Sequence, residues 1–468
     1  MMGFQIVVLW SDILIWLLLA AGGGIGLVVA KNPPLRAAWR RVGASRAGMA
    51  AATVLIAFIA VGALDSLHFR LQLPGKPGQK TSYAVEVLSV LDSLAAPLRT
   101  RGEKTYSEPF ATRLYAKETI EVPGRGQMRE YPRLKHGGAH LGDREDEVAA
   151  DAAMTAFRAA VLALLAWMGI AALAAAAVAQ AASIDRGEAW RRIWRGDTAF
   201  AWSAVLVTGG VLLLTLAPLF ALAGDYHVFG TDKVGQDVLY QVLKSVRTGL
   251  IIGLVTTLVM LPLAVLLGIV AGYFRGWADD IIQYLYTVLN SIPGVLLIAA
   301  AVLMMQVVID THPQWFATAA ERADLRLLAL CFILGITSWT GLCRLLRGET
   351  LKLRELEYIQ AARAFGVSSG RIILRHILPN LMHIVIIALV MDFSGLVLAE
   401  AVLSYVGIGV DPTMTSFGTM INNARMELGR EPVVWWSLAA AFVAMFILVL
   451  AANLFADAVR DAFDPRAA

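Results

Sequence analysis

Long apolar runs alternate with short polar segments along almost the whole chain. The runs fall at about residues 6–30, 47–64, 152–182, 199–223, 250–274, 281–308, 327–346, 381–405 and 433–455. Even an 18-residue helix is about 27 Å long, close to the hydrocarbon thickness of a bilayer. The pattern therefore predicts nine membrane-crossing helices and an all-α polytopic membrane protein. One long polar interruption, residues 65–151, stands apart from the short loops.

Composition agrees with that reading: 58% of residues are hydrophobic and only 16% charged, too apolar for an ordinary soluble domain. The net charge of +4 does not indicate a nucleic-acid partner, because the basic residues cluster in short segments between apolar runs. Lys31, Arg36, Arg40, Arg41 and Arg46 follow the first run without an acid, and Arg186, Arg191, Arg192 and Arg195 follow the third. Arg344, Arg347, Lys352 and Arg354 follow the seventh. The positive-inside rule puts all three segments in the cytoplasm, so the N-terminus is expected outside and the C-terminus inside. Trp190 and Trp194 read as interfacial anchors.

The order of elements follows. Residues 1–64 carry two membrane helices and a basic loop; residues 65–151 form an extracytoplasmic insert; residues 152–198 add a third helix and a second basic loop. The first run is too long for the core of a signal peptide and is read as a membrane helix from residue 6. Its Gly22, Gly23, Gly24 and Gly26 suit close helix packing, and Asp12 is expected to reach headgroups or a neighbouring helix. In the insert, Val85, Val87, Leu88, Val90, Leu91 and Leu94 show apolar periodicity, compatible with a compact domain or with a helix and an extended loop on the membrane surface. Arg275, Asp279 and Asp280 mark a short cytoplasmic turn, and Asn290, Ser291 and Pro293 a polar break inside the sixth run. Cys331 and Cys343 lie twelve positions apart on one expected helix, roughly 18 Å, so they cannot pair with each other. No metal-ligand spacing surrounds them, and they read as small core residues.

The stretch with the most specific chemistry is Glu357 to Asn380, EYIQAARAFGVSSGRIILRHILPN. Helix formers precede Gly366 and a second helical run follows it, so two short helices joined at a glycine are expected. Ala361 and Ala362 let a partner surface approach the backbone, and Pro379 fixes the angle at which the next run begins. These residues resemble the EAA loop of importer-type ABC permeases, here within residues 350–380. Ala361, Ala362, Gly366, Leu378 and Pro379 occupy its characteristic places, and YIQAARAFG and RHILPN are similar to the dipeptide, oligopeptide and nickel permease family. Gln360 stands where the name-giving glutamate is usual. The resemblance runs from about residue 199 to the C-terminus. It includes Gly230, Thr231, Asp232, Gly235 and Asp237, similar to an outer GTD–GRD segment with Gln236 in place of the arginine, and the tail LFADAVRDAFDPR. In residue terms alone, Asp232 and Asp237 suit a turn with capping carboxylates better than a calcium loop.

The resemblance implies a six-helix ABC importer permease core of type I in residues 199–468, preceded by three extra transmembrane helices and the insert, in the inner membrane of a bacterium. It implies coupling to cytoplasmic ATPases through Glu357, Gln360, Ala361, Ala362, Gly366, Leu378 and Pro379. Gly230, Thr231, Asp232, Gly235 and Asp237 become an outer gate or docking surface, and Asn290, Pro293, Asp392 and Glu400 candidates for lining the path. The implied partners are a second permease of the same class in a heterodimer, two ATPase subunits and an extracytoplasmic substrate-binding protein, serving short peptides or related solutes such as nickel chelates. No GxxxxGK[ST] phosphate loop occurs in the sequence, so ATP and magnesium are expected on the partner ATPases, with no cofactor or metal on this chain and no catalysis by it. Two other readings of the residues stay open: an ion-coupled secondary carrier using Asp12, Asp392 and Glu400, and a membrane sensor or scaffold built on residues 65–151.

Overall fold

A computed structural model describes residues 4–73, 83–122, 126–142, 144–316 and 318–463. Parts of the insert, and Asp464, Pro465 and Arg466 of the terminal motif, lie outside the described residues. Among the described residues nine helices are long and apolar enough to cross a membrane. They are Trp10–Lys31, Arg46–Asp65, Glu145–Ala182, Trp202–Leu222, Val238–Phe274, Gly294–Thr311, Ala319–Arg354, Ser369–Val406 and Trp436–Phe463. Each overlaps one apolar run, and in this order they are the first to ninth spans below.

Most spans extend beyond the expected runs, and at three boundaries a local feature gives the physical reason. The first span starts at Trp10, because Phe4–Val7 is a strand (β1) rich in β-propensity residues, and Asp12 Oδ2 accepts from Leu9 N at 3.2 Å at the helix start. The fifth span starts twelve residues before position 250, where Asp237 caps it. The sixth apolar run is two helices, Trp277–Ser291 and Gly294–Thr311, so the crossing expected from residue 281 begins at Gly294. Pro293 has no N–H to donate and disfavours helical backbone at Ile292, which is extended at φ −92°, ψ 131°. Asp279 and Asp280, expected in a turn, instead occupy the first turn of the shorter helix.

The chain divides into two compact units. The first comprises Met1–Val8, Leu19–Thr248 and Thr415–Ala458. In it β1 pairs antiparallel with β2 (His68–Leu71), Phe4 opposite Leu71, and β2 pairs with β3 (Leu88–Ser89), so the chain's start joins the insert in one three-stranded sheet. Helices Val90–Leu94 and Ala96–Thr100 follow, the first closed by a capping box between Ser89 and Asp92. A hairpin of β4 (Glu118–Val122) and β5 (Gly126–Glu130) comes next, and short 3-10 turns at Ala139–Leu141 and Glu145–Glu147 follow it. Of the periodic apolar positions only part turns inward: Leu88 and Leu91 are buried, whereas Val85 and Leu94 are exposed. Ala95, Leu98 and Leu141 pack with Leu222, Ala223, Tyr226, Val228 and Leu239, a cluster in which each leucine removed from water contributes about 2 kcal/mol. The basic segment after the third span is a helix, Arg186–Arg195, capped by Asp185 and ended by Gly196, with the Trp190 and Trp194 rings edge to face at 5.6 Å.

The second unit comprises Leu9–Leu18, Gly249–Met414 and Val459–Ala468. One apolar cluster joins Ile251, Ile252 and Val255 of the fifth span to Leu327, Leu330, Cys331 and Leu334 of the seventh, Leu403 of the eighth, and Ile15. Ser11 hydrogen-bonds Asp324 through both its hydroxyl and its backbone N–H. A second cluster is built from Met260, Ala264, Ile269, Ala271, Tyr273, Leu342, Cys343 and Leu346. Cys331 and Cys343 are free and buried in these two cores. Gly22, Gly23, Gly24 and Gly26 meet no atom within 4 Å of an added Cβ, so the close packing expected of them is not made among the described residues of this chain.

Candidate functional site

The stretch from Glu357 to Asn380 belongs to the second unit. Helix Glu357–Ala364 is followed by Gly366 at φ 75°, then by helix Ser369–Ile372, a π-helical turn Ile373–Ile377 and helix Leu378–Val406, which together make up the eighth span. A left-handed residue reverses the chain between two short helices, and glycine adopts it without steric cost. The anchors are apolar: Ile359, Ile372, Ile377 and Leu381 are fully buried in the cluster with Cys343 and Leu346. The opposite face is open. Glu357, Gln360, Ala361, Ala364 and Pro379 are exposed, Ala362 and Leu378 half-buried, and Phe365 beside the glycine is 88% exposed. Gln360 Nε2 donates to the carbonyl of Glu355 at 3.0 Å, and the Glu355 carboxylate takes an ion pair from Arg275 at 2.5 Å. Asn380 Nδ2 donates to the Tyr358 hydroxyl at 3.2 Å, which braces the two ends of the loop.

The GTD–GQD segment belongs to the first unit, where it is held by the insert. Asp232 Oδ1 accepts from the backbone N–H groups of Val234 and Gln236, and Asp237 Oδ1 from those of Leu239 and Tyr240, so one carboxylate makes the turn and the other caps the fifth span. Gly230 and Gly235 both adopt positive φ, and an added Cβ on Gly235 would lie 1.8 Å from the carbonyl oxygen of Glu103. Thr231 Oγ1 accepts from Ser107 N at 2.7 Å and donates to the Thr105 carbonyl at 2.8 Å, while Trp436 Nε1 donates to the Thr231 carbonyl at 3.0 Å. His227 lies between two carboxylates, Nδ1 at 2.7 Å from Asp237 and Nε2 at 3.4 Å from Glu103. Glu103 in turn accepts from the N–H groups of Lys135, His136 and Gly137.

Burial alone would push the His227 imidazole down, but the hydrogen bonds and charges of Asp237 and Glu103 outweigh it and raise it to about 9. Burial of Glu103 is likewise outweighed, by His227 and the three backbone donors, which hold its carboxyl down at about 2. A second charged tie lies nearby: Lys244 bonds Asp65 at 2.5 Å and Asp92 at 3.2 Å, and the Tyr240 hydroxyl donates to Asp92 at 2.7 Å. Among the described residues no cluster of His, Cys, Asp and Glu has the geometry of a metal site.

With this geometry in place, comparison with known proteins decides the family. Residues 264–468 match the family described as binding-protein-dependent transport system inner membrane component. The chain is 32% identical over 288 residues to the oligopeptide transport system permease protein OppC of Mycobacterium bovis, covering 59% of this chain and 92% of the relative. It belongs to this family of ABC importer permeases. It is similarly 32% identical over 300 residues to the glutathione transport system permease protein GsiD of Pectobacterium atrosepticum, covering 59% of this chain and 91% of that protein. With the dipeptide transport system permease protein DppC of Lactococcus lactis it shares 29% over 243 residues, 52% of this chain and 65% of the other.

The permease is thus a multi-pass inner-membrane protein with a six-helix core, preceded by three further spans and the insert. Its four path candidates have different surroundings. Asn290 Oδ1 accepts from Thr340 Oγ1 at 3.1 Å, and Pro293 immediately precedes the sixth span. Glu400 is buried and accepts from Ser404 Oγ at 2.6 Å. Asp392 is half-buried and makes no hydrogen bond among the described residues. Glu103, His227 and Lys244 escaped notice in the sequence, and Phe365 was not distinguished from its neighbours. The histidine ten positions before Asp237 is the local trace of this arrangement in the sequence, and its burial and its second partner, Glu103, leave none.

Proposed function

We propose that this permease forms part of the translocation path for short peptides, or related small solutes such as nickel chelates, and is driven by cytoplasmic ATPase subunits docked on its EAA loop. The observation that carries the proposal is the exposed Phe365–Gly366 corner, projecting from a loop whose Ile359, Ile372 and Ile377 are fully buried. An apolar side chain presented on a rigid base is suited to a pocket on another protein. Glu357, Gln360, Ala361 and Ala362 supply the small and polar surroundings of that contact, and Leu378 and Pro379 set where helix Leu378–Val406 begins. The peptide reading rests on the relatives' names. The assembly is one copy of this chain with a second permease of the same class, two ATPases holding ATP and magnesium, and an extracytoplasmic binding protein. The basic loops support an outside N-terminus and a cytoplasmic C-terminus.

For Gly230, Thr231, Asp232, Gly235 and Asp237 we favour docking over gating. Gly235 is bonded through its backbone to Glu103 of the insert, and Thr231 through its hydroxyl and backbone to Thr105 and Ser107, which suits a fixed floor beneath a binding protein better than a moving part. Of the path candidates, Asp392 has the surroundings that suit the role. The test of the coupling proposal is co-purification of the assembly from its native membrane, with Phe365→Asp and Gly366→Pro beside the wild type. Recovery of ATPases with the wild type and their loss from both folded variants is expected. ATPases retained by both variants, with peptide-stimulated hydrolysis intact, would refute it.

A further inference from the structure

The helix Trp277–Ser291 is not long and apolar enough to count as a span, yet it is fastened along its length to helix Thr340–Arg354. Arg275 and Gly276, at φ 57° and 58°, reverse the chain just before it. In its first turn Asp279, 8% exposed, receives a two-pronged ion pair from Arg347, Nε to Oδ1 at 2.5 Å and Nη2 to Oδ2 at 2.7 Å. In its last turn lies the Asn290 contact with Thr340. Between these ties Ile282 and Tyr286 are buried with Cys343 and Leu346, and the Arg344 guanidinium stands 5.8 Å from the Tyr286 ring centroid.

Helix Thr340–Arg354 has two other attachments. Towards the fifth span, Gly268 and Gly272 present no side chain: an added Cβ would come within 2.9 Å of the Cys343 carbonyl oxygen and 2.6 Å of the Thr350 Cβ. This small-xxx-small spacing lets the two backbones meet closely. Towards the EAA loop, Ile359, Ile372 and Ile377 share its apolar cluster. Helix Trp277–Ser291 continues through the break at Ile292–Pro293 into the sixth span, Gly294–Thr311.

We propose that Arg347 and Asp279 are a positioning pair that makes the EAA loop and the sixth span move together. The inference rests on the coupling reading above. Apolar contacts slide with little directional resistance, whereas a guanidinium–carboxylate fork fixes both distance and orientation. Helix Trp277–Ser291 leads into the sixth span; without the fork, displacement of the loop would be absorbed at the apolar surface between Ile282, Tyr286 and Leu346. A solvated pair could not do this, but Asp279 is buried and its partner is held on a helix of the packed cluster.

The test uses the complete assembly reconstituted in vesicles, with peptide uptake and ATP hydrolysis measured on the same preparation. Asp279→Asn and Arg347→Gln are each expected to lower uptake per ATP hydrolysed about tenfold, within the range by which single positions alter coupling between distant sites. Arg347→Lys, which keeps the charge but loses the fork, is a milder change, and about a threefold loss is expected. The charge-exchanged double variant, Asp279→Arg with Arg347→Asp, is expected to recover most of the ratio. A purely structural role would lower assembled protein while leaving uptake per ATP unchanged, and that result in Arg347→Lys and Asp279→Asn would overturn the proposal. A wild-type assembly that shows no ATP-driven uptake would instead defeat the functional reading.

Discussion

The clasp around His227 can be tested by its dependence on pH. His227 is buried between Asp237 and Glu103, and those carboxylates raise its imidazole from 6.5 to about 9. A group whose folded pKa is raised contributes stability that is fully present below the unfolded value and is lost as pH rises through the folded one. The contribution is therefore complete below pH 6.5 and disappears as pH climbs through about 9. The rise corresponds to about 3 kcal/mol, counted once for the whole cluster because Glu103 draws on the same contact. On the acid side the depressed Glu103 carboxyl has the opposite sign: its contribution is present above 4.5 and is lost as pH falls towards about 2.

The backbone N–H groups of Lys135, His136 and Gly137 report directly, since all three donate to Glu103. Hydrogen exchange at these amides, divided by the intrinsic rate at each pH, should show protection falling by about two orders of magnitude between pH 7 and pH 10. His227→Gln keeps much of the shape but cannot carry charge, so it should start with low protection and show little slope. Protection that stays level through pH 9 in the wild type, or a variant that reproduces the wild-type curve, would refute the assignment of the imidazolium as the centre of the clasp.

Two further substitutions probe the same unit. Gly235→Ala should release the insert segment at Glu103, because positive φ costs an L-residue about 1–2 kcal/mol and the new methyl would meet the Glu103 carbonyl oxygen; exchange at Lys135–Gly137 should accelerate, and unchanged exchange would count against the contact. Lys244→Met should destabilise by about 3 kcal/mol, since it leaves the buried Asp65 and Asp92 carboxylates without their cation, and Asp92→Asn in the same chain should restore part of the loss in a thermal-unfolding assay.

The nine crossings were legible because each rests on a property repeated over some twenty residues, and a single misplaced polar group does not erase it. The stretch around Gly366 was legible for a related reason: the helix formers before the glycine and the break at the glycine itself are local, and they mark a turn between two short helices. Boundaries failed where a local feature overrode the run. Pro293 split one expected span into two helices, and the strand propensity of Phe4–Val7 found a partner in β2, sixty-odd residues away. The GTD–GQD segment was read as a turn with a capping aspartate, and both features are present at Asp232 and Asp237, but its grip on the insert was invisible.

What decided that grip lies across long sequence separations. Glu103 and His227 are 124 positions apart, and Asp279 and Arg347 are 68 apart. At the level of one sequence Arg347 looks like any cytoplasmic positive charge, and its value as a marker of sidedness is complete without a partner. Sidedness needs only net basic character near a membrane end, whereas a fork needs one carboxylate at one distance and angle. The same residue can meet both demands, and only the first leaves a trace in composition. Charged positions at the ends of apolar runs are therefore the places in this permease where local reading yields an expectation of sidedness and conceals pairing. The mechanical role proposed for Arg347 follows from its pairing, while the sidedness expected from its charge would survive replacement by lysine at any nearby position.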